Sequence, residues 1–272
     1  MRKPLFSIII PTLNEEKFLP KLLASLASQT NKNFEVIVVD GKSKDRTVSI
    51  AETYKRKLPK LAILLSTIHG ISKQRNIGEA KARGNWLVFI DADSVLLPYA
   101  MERIDIFIKT HKPIMFTTWF RSDSELVGDA LVTLLFNMLF EGAVLFRRPF
   151  TQGTFAALTR SEFTSVGGYD ESLEFGEDYD LTKRVCQKGN RLSVLRETLY
   201  IYSLRRYRHQ GTIPAMQAGV RAILSVLLTN KTPRAIAGYI TGGHLYSKKR
   251  IKLSVLKTYE RKLKALIKEL FT

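Results

Sequence analysis

The 272-residue sequence predicts an α/β fold with a mostly parallel, Rossmann-like sheet flanked by helices. Short apolar runs alternate with stretches of helical period between residues 6 and 90, a pattern typical of chains that build parallel sheets. Several runs stop at acidic or turn residues, and ligands of open α/β sheets lie beyond the carboxyl ends of strands. A basic, amphipathic C-terminal stretch predicts further helices outside the sheet.

Four strands and three helices are expected in the first 90 residues. Apolar runs bounded by turn residues are typical of strands buried on both faces, and they lie at residues 6–10, 34–39, 61–66 and 86–90. Thr12 and Glu15 have the spacing of a capping box before a helical repeat of leucines. Asp45 is a candidate N-cap for the second helix, and residues 72–83 are predicted as a third helix closed by Gly84.

Two carboxylates follow the fourth apolar run directly. Asp91 and Asp93 stand one residue apart at the carboxyl end of the strand predicted at residues 86–90. Mg²⁺ and Mn²⁺ prefer oxygen ligands, usually one or two carboxylates together with substrate phosphates. An acidic turn that only ends a strand would have the same sequence, so this segment alone leaves both interpretations open.

A second acidic segment lies between residues 170 and 180, which contain six acids in eleven positions. So many carboxylates must be offset by cations, by helix N-terminal amides or by a function. Gly176 precedes Glu177 and Asp178, which indicates a helix start, where the helix dipole favours carboxylates.

The net charge of +18 is concentrated at one end of the chain. Residues 201–272 contain 15 lysines and arginines but only two acids, Glu260 and Glu269. A polycation of this kind favours an anionic partner: a membrane surface, a phosphorylated substrate or nucleic acid.

The cysteine count indicates a reducing compartment, and the hydropathy shows no candidate membrane span. The single cysteine, Cys186, excludes an internal disulfide bond. No uninterrupted apolar run reaches the roughly 18 residues of a membrane span, and residues 1–4 have no signal-peptide pattern. We therefore expect a cytoplasmic location.

Several common classes of enzyme are excluded because their motifs are missing. Gly41-Lys42-Ser43 is not a P-loop, since Val36 stands where the first glycine of that motif is required. The sequence also lacks the Gly-x-Gly-x-x-Gly fingerprint of Rossmann dehydrogenases, a serine nucleophile elbow and the Cys/His spacing of zinc sites.

The chain resembles family 2 of the inverting glycosyltransferases over residues 5–210, because five motifs occur in that family's order. The motifs are Pro11-Thr12-x-Asn14-Glu15; Val38-Val39-Asp40-Gly41-x-Ser43-x-Asp45-x-Thr47; Gln74-Arg75-Asn76-x-Gly78-x-x-x-Ala82-x-Gly84; Asp91-Ala92-Asp93; and Gly167-Gly168-Tyr169-Asp170-Glu171 with Gly176-Glu177-Asp178-x-Asp180-Leu181. Ser203-x-Arg205-Arg206-Tyr207 is similar to an element that some members carry. The sequence departs from the family at Lys42 and Lys44, where members often have glycine or serine.

The resemblance implies a GT-A fold and the transfer of a sugar from a nucleoside diphosphate donor, with UDP or GDP, to an acceptor hydroxyl or phosphate with inversion. It implies that Asp178 is the base and that Glu177 positions that base or the acceptor. Asp93, helped by Asp91, would hold Mg²⁺ or Mn²⁺, and His209 is a further candidate metal ligand. From position alone, Glu177 and Asp178 could equally be a helix N-cap pair, and a lone histidine such as His209 is more often structural.

Nucleotide recognition is expected where the first strands end. The implied nucleotide-binding residues are Pro11, Thr12, Asn14, Glu15, Asp40, Arg75, Asp91, Arg205 and Arg206. Pro11, Thr12 and Glu15 would surround the base and ribose, whereas Arg205 and Arg206 would neutralise the diphosphate. Thr12 and Asn14 could instead serve only as caps, and Arg75 could pair with a surface acid.

We divide the chain into a catalytic domain, residues 1–210, and a basic helical region, residues 211–272. The catalytic domain has a nucleotide-binding half, 1–95, and an acceptor half, 96–210. The C-terminal region repeats apolar residues at helical spacing among its lysines, at Leu256, Tyr259, Leu263, Leu266, Ile267 and Leu270. This pattern favours peripheral attachment to the anionic inner face of the cell membrane. The resemblance to the family implies a lipid-linked or cell-envelope glycan as acceptor. Packing against the catalytic domain, or a homodimer interface, is the alternative.

Residues 126–146 are apolar apart from Asp129, Asn137 and Glu141. We expect a pair of core helices here. The alternative is an amphipathic segment that borders the acceptor or touches lipid.

Two other functions are weighed against glycosyl transfer. A nucleotidyltransferase that makes sugar nucleotides would need a glycine-rich loop after the first strand, and residues 11–15 contain no glycine. A nucleic-acid-binding protein would use the basic tail, but the tail lacks the interleaved aromatic and basic residues typical of single-strand binding. We therefore expect no nucleic-acid partner.

Overall fold

The computed structural model describes residues 3–58, 60–67, 70–145, 151, 153–173 and 176–205. The predictions for Arg206, His209 and the C-terminal region 211–272 lie outside these described residues.

The strands of the described chain form one eight-stranded sheet with the order β3-β2-β1-β4-β7-β6-β8-β5. The strands are β1 Phe6–Thr12, β2 Phe34–Asp40, β3 Leu61–Leu65, β4 Trp86–Ile90, β5 Ser94–Leu96, β6 Met115–Ser122, β7 Phe155–Thr159 and β8 Leu192–Tyr202. The helices are α1 Leu19–Ala27, α2 Thr47–Thr53, α3 Ile71–Lys81, α4 Ala100–His111, α5 Val127–Leu145, α6 Arg160–Ser165 and α7 Glu177–Gln187, with a short 3-10 helix at Tyr54–Arg56.

The first four strands form the parallel part of the sheet. β1 lies between β2 and β4, and Phe6 pairs with Phe34 on one side and with Trp86 on the other. The residues of β1, β2 and β4 are buried on both faces, which explains why their sequences show continuous apolar runs instead of alternation, whereas β3 at the edge of the sheet is partly exposed. The carboxyl ends of these strands therefore meet at one edge of the sheet, where ligands bind in open α/β folds.

Helices cover both faces of the sheet. Ile8 and Ile10 belong to the core that α1 and α4 complete with Leu22 and Ile104. Ile9 points to the opposite face and joins the core that includes Leu181 of α7. The prediction of an α/β fold with helices around the sheet is confirmed.

The remaining strands make the sheet mixed, although parallel pairs still predominate among the described strands. β7 pairs antiparallel with β4 and with β6, β8 runs parallel to β6, and β5 closes the edge antiparallel to β8. Strands from both proposed halves of the catalytic domain thus share one sheet. The division at residue 95 stays a prediction.

Two local predictions are wrong. Thr12 and Glu15 do not form a capping box, because α1 begins at Leu19 and its N-cap, Phe18, makes no side-chain cap hydrogen bond. The side chains of Thr12 and Glu15 are instead bound by Asp40 and Arg205. Residues 126–146 do not form a core helix pair but hold the single helix α5, one side of which is exposed.

Within the described ranges, we find no helix with both the length and the apolar character needed to cross a bilayer.

Candidate active site

A buried guanidinium gathers three carboxylates from distant parts of the chain. Arg75 lies on α3, and its side chain has no exposed surface. Its Nη1 donates to Glu177 Oε1 at 3.0 Å and to Asp178 Oδ1 at 2.9 Å. Its Nη2 lies 3.4 Å from Asp91 Oδ1 and also donates to the carbonyl of Gly153. The two acidic segments singled out in the sequence therefore meet at one cation.

The charges around Arg75 keep it protonated. Burial alone would lower the pKa of Arg75, but the charge of Asp178, followed by Tyr169, Glu177 and Asp91, raises that pKa well above its usual value. The guanidinium also lies over the ring of Tyr169, 5.0 Å from the ring centre. A buried cation of this kind persists because its partners also bear charge or supply acceptors.

Asp178 and Glu177 occupy the first turn of α7, as the sequence predicts. Gly176 has φ 74° before the helix, a left-handed conformation that glycine adopts without strain. The phenol of Tyr169 donates to Asp178 Oδ1 at 3.1 Å, so this oxygen accepts from both Tyr169 and Arg75. Burial raises the pKa of the Tyr169 phenol well above its usual value, so the phenol stays a donor.

Burial and a neighbouring charge favour the protonated form of Glu177. Burial, followed by the charge of Asp178, raises the pKa of Glu177 to about 8. The guanidinium of Arg75, which binds Glu177 Oε1, opposes that rise.

A second guanidinium connects the far end of the described chain to the first strands. Arg205 follows β8, and its Nη1 and Nη2 each donate to one oxygen of Glu15 at 2.7 Å. Its Nε lies 2.8 Å from Asp93 Oδ2, and its carbon Cζ lies 4.3 Å from the ring centre of Phe18. Burial raises the pKa of Glu15, although Arg205 opposes that rise.

The loops after β1 and β2 are tied together by Asp40 and Asn14. Asp40 accepts from the hydroxyl of Thr12 at 3.1 Å and from the amide of Ser43 at 2.8 Å. Asn14 has φ 55°, and its backbone amide donates to Ser43 Oγ. The side-chain oxygen of Asn14 accepts from the backbone amide of Lys44 at 2.7 Å. The predicted nucleotide-binding residues at these strand ends thus form one connected rim, with Pro11 inside β1 beside Val39.

Two residues of the site had no role assigned from the sequence. Tyr169 binds Asp178 from a position nine residues earlier, just after Gly167 and Gly168. Gly153 leaves room for the carboxylate of Asp178, because a Cβ at this position would lie 2.7 Å from Asp178 Oδ2. The signals for these roles were a tyrosine within the fifth motif and a run of small residues after Gly153.

The two carboxylates at the end of β4 suit a divalent cation whose remaining ligands come from the substrate and water. Asp91 keeps 27% of its side chain exposed, and Asp93 is in contact with Arg205. In the part of the chain that the structure describes, no group of three or more histidine, cysteine or acidic residues forms a metal cage. Mg²⁺ and Mn²⁺ commonly take only one or two carboxylates beside phosphate oxygens and water, so these two acids suffice chemically.

Comparison with known proteins gives the family of the chain. The sequence model of glycosyl transferase family 2 matches residues 7–165. A glycosyltransferase of PGL/p-HBAD biosynthesis from Mycobacterium tuberculosis is 34% identical over 192 residues, which cover 68% of this chain and 70% of the relative. An uncharacterized glycosyltransferase of Haemophilus influenzae is 29% identical over 188 residues, 68% of this chain and 63% of that protein.

Solved structures show the same architecture. The Staphylococcus aureus TarS fragment 1–349, in complex with UDP-GlcNAc, superposes with a TM-score of 0.61 at 25% identity, covering 73% of this chain and 58% of that one. The mannosyltransferase PcManGT of Pyrobaculum calidifontis, in complex with GDP-Man and Mn²⁺, superposes with a TM-score of 0.59 at 19% identity, over 81% of this chain and 65% of that one.

The mixed sheet, its helical layers and these superpositions define a fold of the GT-A class. The chain belongs to glycosyl transferase family 2. It spans 63% of the length of its Haemophilus relative and 58% of the TarS fragment.

Proposed function

We propose that the protein transfers a sugar from a nucleoside diphosphate sugar to an acceptor hydroxyl or phosphate by a single, metal-assisted displacement with inversion. The observation that carries this proposal is the bridge made by Arg75, which contacts Asp91 at 3.4 Å and Asp178 at 2.9 Å. The bridge brings the acid at the end of β4, which we assign to the donor, next to the acid at the start of α7, which we assign to the acceptor. A displacement reaction needs both kinds of group around one reacting centre.

Asp178 is the proposed base. It takes the proton of the acceptor hydroxyl while the acceptor oxygen forms a bond to the anomeric carbon from the side opposite the leaving group. The bond from that carbon to the diphosphate oxygen breaks, and the nucleoside diphosphate leaves with the electron pair. Tyr169 and Arg75 act as positioning residues, since both donate to Asp178 Oδ1 and hold the carboxylate.

The role of Arg75 differs from direct nucleotide contact. Its side chain has no exposed surface and is occupied by Asp91, Glu177 and Asp178. We therefore assign it to holding the acids of the site instead of the base or phosphate of the donor. Burial and the charge of Asp178 raise the pKa of Glu177, which limits the negative charge that this carboxyl adds beside Asp178.

The donor side consists of the strand ends. Thr12, Asn14 and Asp40, next to Pro11 and Glu15, form the proposed rim for the base and ribose; Arg205 and Arg206 are assigned to the diphosphate. Asp93 and Asp91 are the proposed holders of Mg²⁺ or Mn²⁺, with His209 as a further candidate. When bound, the cation supplies Lewis-acid stabilisation of the diphosphate leaving group.

Relatives support this class of donor. TarS is solved with UDP-GlcNAc and PcManGT with GDP-Man and Mn²⁺, so nucleotide sugars with either base are substrates to test. TarS relatives are named poly(ribitol-phosphate) β-N-acetylglucosaminyltransferases, which favours a cell-envelope or lipid-linked glycan as acceptor. The basic tail favours attachment at the cytoplasmic face of the cell membrane.

The test is turnover of a panel of UDP- and GDP-sugars with and without Mn²⁺. Turnover is measured as the release of the free nucleoside diphosphate. Asp178→Asn removes the base, and we expect turnover to fall by about 10²-fold or more. Asp180→Asn is the matched control, because Asp180 lies on the same helix turn but pairs with Arg184. Proton NMR of the first product reports the anomeric configuration.

Release of nucleoside diphosphate that survives Asp178→Asn would overturn the assignment of the base. A product with retained configuration would overturn the single displacement, and release of pyrophosphate would indicate nucleotidyl transfer instead.

A further inference from the structure

The helix α5 exposes a continuous apolar stripe. Its outward residues between positions 131 and 139 recur at spacings of three and four, and Leu145 follows Met138 by seven, which places all of them along one side of the helix. They are Leu131, Leu134, Leu135, Met138, Leu139 and Leu145, and each is between 38% and 78% exposed. Surface helices usually turn charged or polar residues outward, so a stripe of this length indicates a surface that is covered in the working protein.

The opposite side of α5 is already packed, so the stripe cannot turn inward. Asn137 accepts from the amide of Phe120 and donates to its carbonyl, which fixes the helix against β6. Glu141 accepts from the indole of Trp119 and from Arg196. The helix is therefore a preformed ridge, and its apolar side is left for a partner.

The basic sequence that follows β8 favours one kind of partner. α5 contains the acids Asp129 and Glu141 and no lysine or arginine, but the chain leaves β8 near the loop before α5, since Ser203 and Leu204 both donate to Asp123. The sequence of residues 201–272, with its 15 basic residues, therefore starts from a point close to the beginning of this helix. An apolar ridge in a chain with such a basic sequence matches an anionic bilayer, where apolar side chains enter the interface and basic residues meet the headgroups.

The ridge also leads toward the base. α5 ends at Leu145, and the chain then reaches Thr151 and Gly153; Thr151 contacts Thr182 on α7, and Gly153 lies against Asp178. A lipid-linked acceptor could keep its tail in the bilayer while its polar head reaches this carboxylate. This last step rests on the proposed function, whereas the surface itself does not.

We propose that the exposed stripe of α5 is the membrane-contacting surface of the catalytic domain and inserts into the interface of an anionic bilayer. The basic tail then adds electrostatic attraction to a contact that α5 makes by itself.

The test is flotation of the full chain with vesicles of phosphatidylcholine alone and of an equimolar mixture with phosphatidylglycerol. Leu135→Ser with Met138→Ser removes two residues of the stripe that are 57% and 62% exposed. Leu65→Ser with Ile106→Ser is the matched control, at 70% and 42% exposure on other elements. We expect the stripe variant to lower the partition coefficient on anionic vesicles by about 10-fold and the control to leave it unchanged.

A fluorescent reporter locates the contact. In a Cys186→Ser background, an environment-sensitive dye on Leu135→Cys should shift to the blue when anionic vesicles are added, whereas the dye on Ile106→Cys should not. The stripe variant should bind nucleoside diphosphates as the unmodified chain does, as measured by thermal shift without vesicles. This measurement separates the test of the membrane surface from the test of the proposed function.

Three outcomes would overturn the inference. The unmodified chain does not float with anionic vesicles; the stripe variant floats as well as the control; or the dye at position 135 is already shielded without vesicles. The last result would show that the chain itself or a second copy covers the stripe.

Discussion

Glu177 is a residue of the site whose raised pKa makes its ionisation depend on pH near neutrality. Its folded-state pKa of about 8 lies above the usual 4.5, because burial and the charge of Asp178 disfavour the ionised form. The folded chain therefore holds a proton that the unfolded chain has released between these values. The contribution of Glu177 to stability is highest at low pH in this window, falls as pH rises above about 4.5, and stops falling above about 8.

Glu177→Gln tests this linkage, because glutamine has the shape of the protonated acid but does not titrate. We expect the melting temperature of the unmodified chain to fall between about pH 6 and pH 8, and that of the variant to fall less. Thermal melts across this range measure the difference in melting temperature between the two proteins. The effects of other titrating groups, such as Glu15, are shared by both proteins and largely cancel. Parallel pH curves for the two proteins would mean that Glu177 is ionised throughout.

At the residue scale, the sequence indicated the acids better than their partners. Asp91, Asp93 and Asp178 stand in short motifs whose spacing is visible along the chain. Tyr169 and Gly153 act on Asp178 only through the packing of α7 against the loop before β7, which no local spacing records. Arg75 was assigned to the nucleotide because its motif says nothing about burial, and the structure has it enclosed by carboxylates.

At the scale of elements, α3 positions the centre of the site. Gln74 donates to the carbonyls of Thr12 and Val39, so α3 is fixed to the carboxyl ends of β1 and β2. One residue later, Arg75 reaches Asp178. The close approach of helix and sheet depends on Gly78, since a Cβ there would lie 2.4 Å from Cγ2 of Ile9.

Gly78→Ala should therefore push α3 away from β1. We expect a loss of about 1–3 kcal/mol in the free energy of unfolding, because a packed core resists an added methyl group. Gly142→Ala is the control: Gly142 also lies in a helix, but nothing lies within 4 Å of the added Cβ. Urea denaturation of both variants measures the difference, and equal stabilities would show that the contact between α3 and β1 yields without cost.

The sequence predicted elements well where burial alone decides them. The run at residues 86–90 is β4 with the same bounds, because a strand buried on both faces must be apolar at every position. Prediction failed where tertiary contacts compete with local rules. Glu15 binds Arg205 instead of capping α1. The helix α5 exposes leucines, although an apolar helix is expected to lie in the core.

At the scale of the whole molecule, Arg205 connects elements that lie 190 residues apart in sequence. It follows β8, near one edge of the sheet, and binds Glu15 after β1 and Asp93 after β4. Only 13% of its side chain and 7% of that of Glu15 are exposed, so both charges depend on each other for solvation. The order of strands in space, which motif spacing does not encode, brings these ends together.

A double-mutant cycle on Arg205 and Glu15 measures how strongly this contact joins the sheet. Arg205→Ala leaves Glu15 and Asp93 without their buried cation, and we expect it to cost roughly 3 kcal/mol of unfolding free energy. Adding Glu15→Gln should recover part of the loss, with a coupling energy of at least about 1 kcal/mol. The matched control is Arg196 with Glu141, where the arginine is 72% exposed and the coupling should be smaller than that of Arg205 with Glu15 because solvent screens the exposed pair. Equal couplings for the two pairs would mean that Arg205 is solvated in the working protein and that the strand ends are held by backbone packing alone.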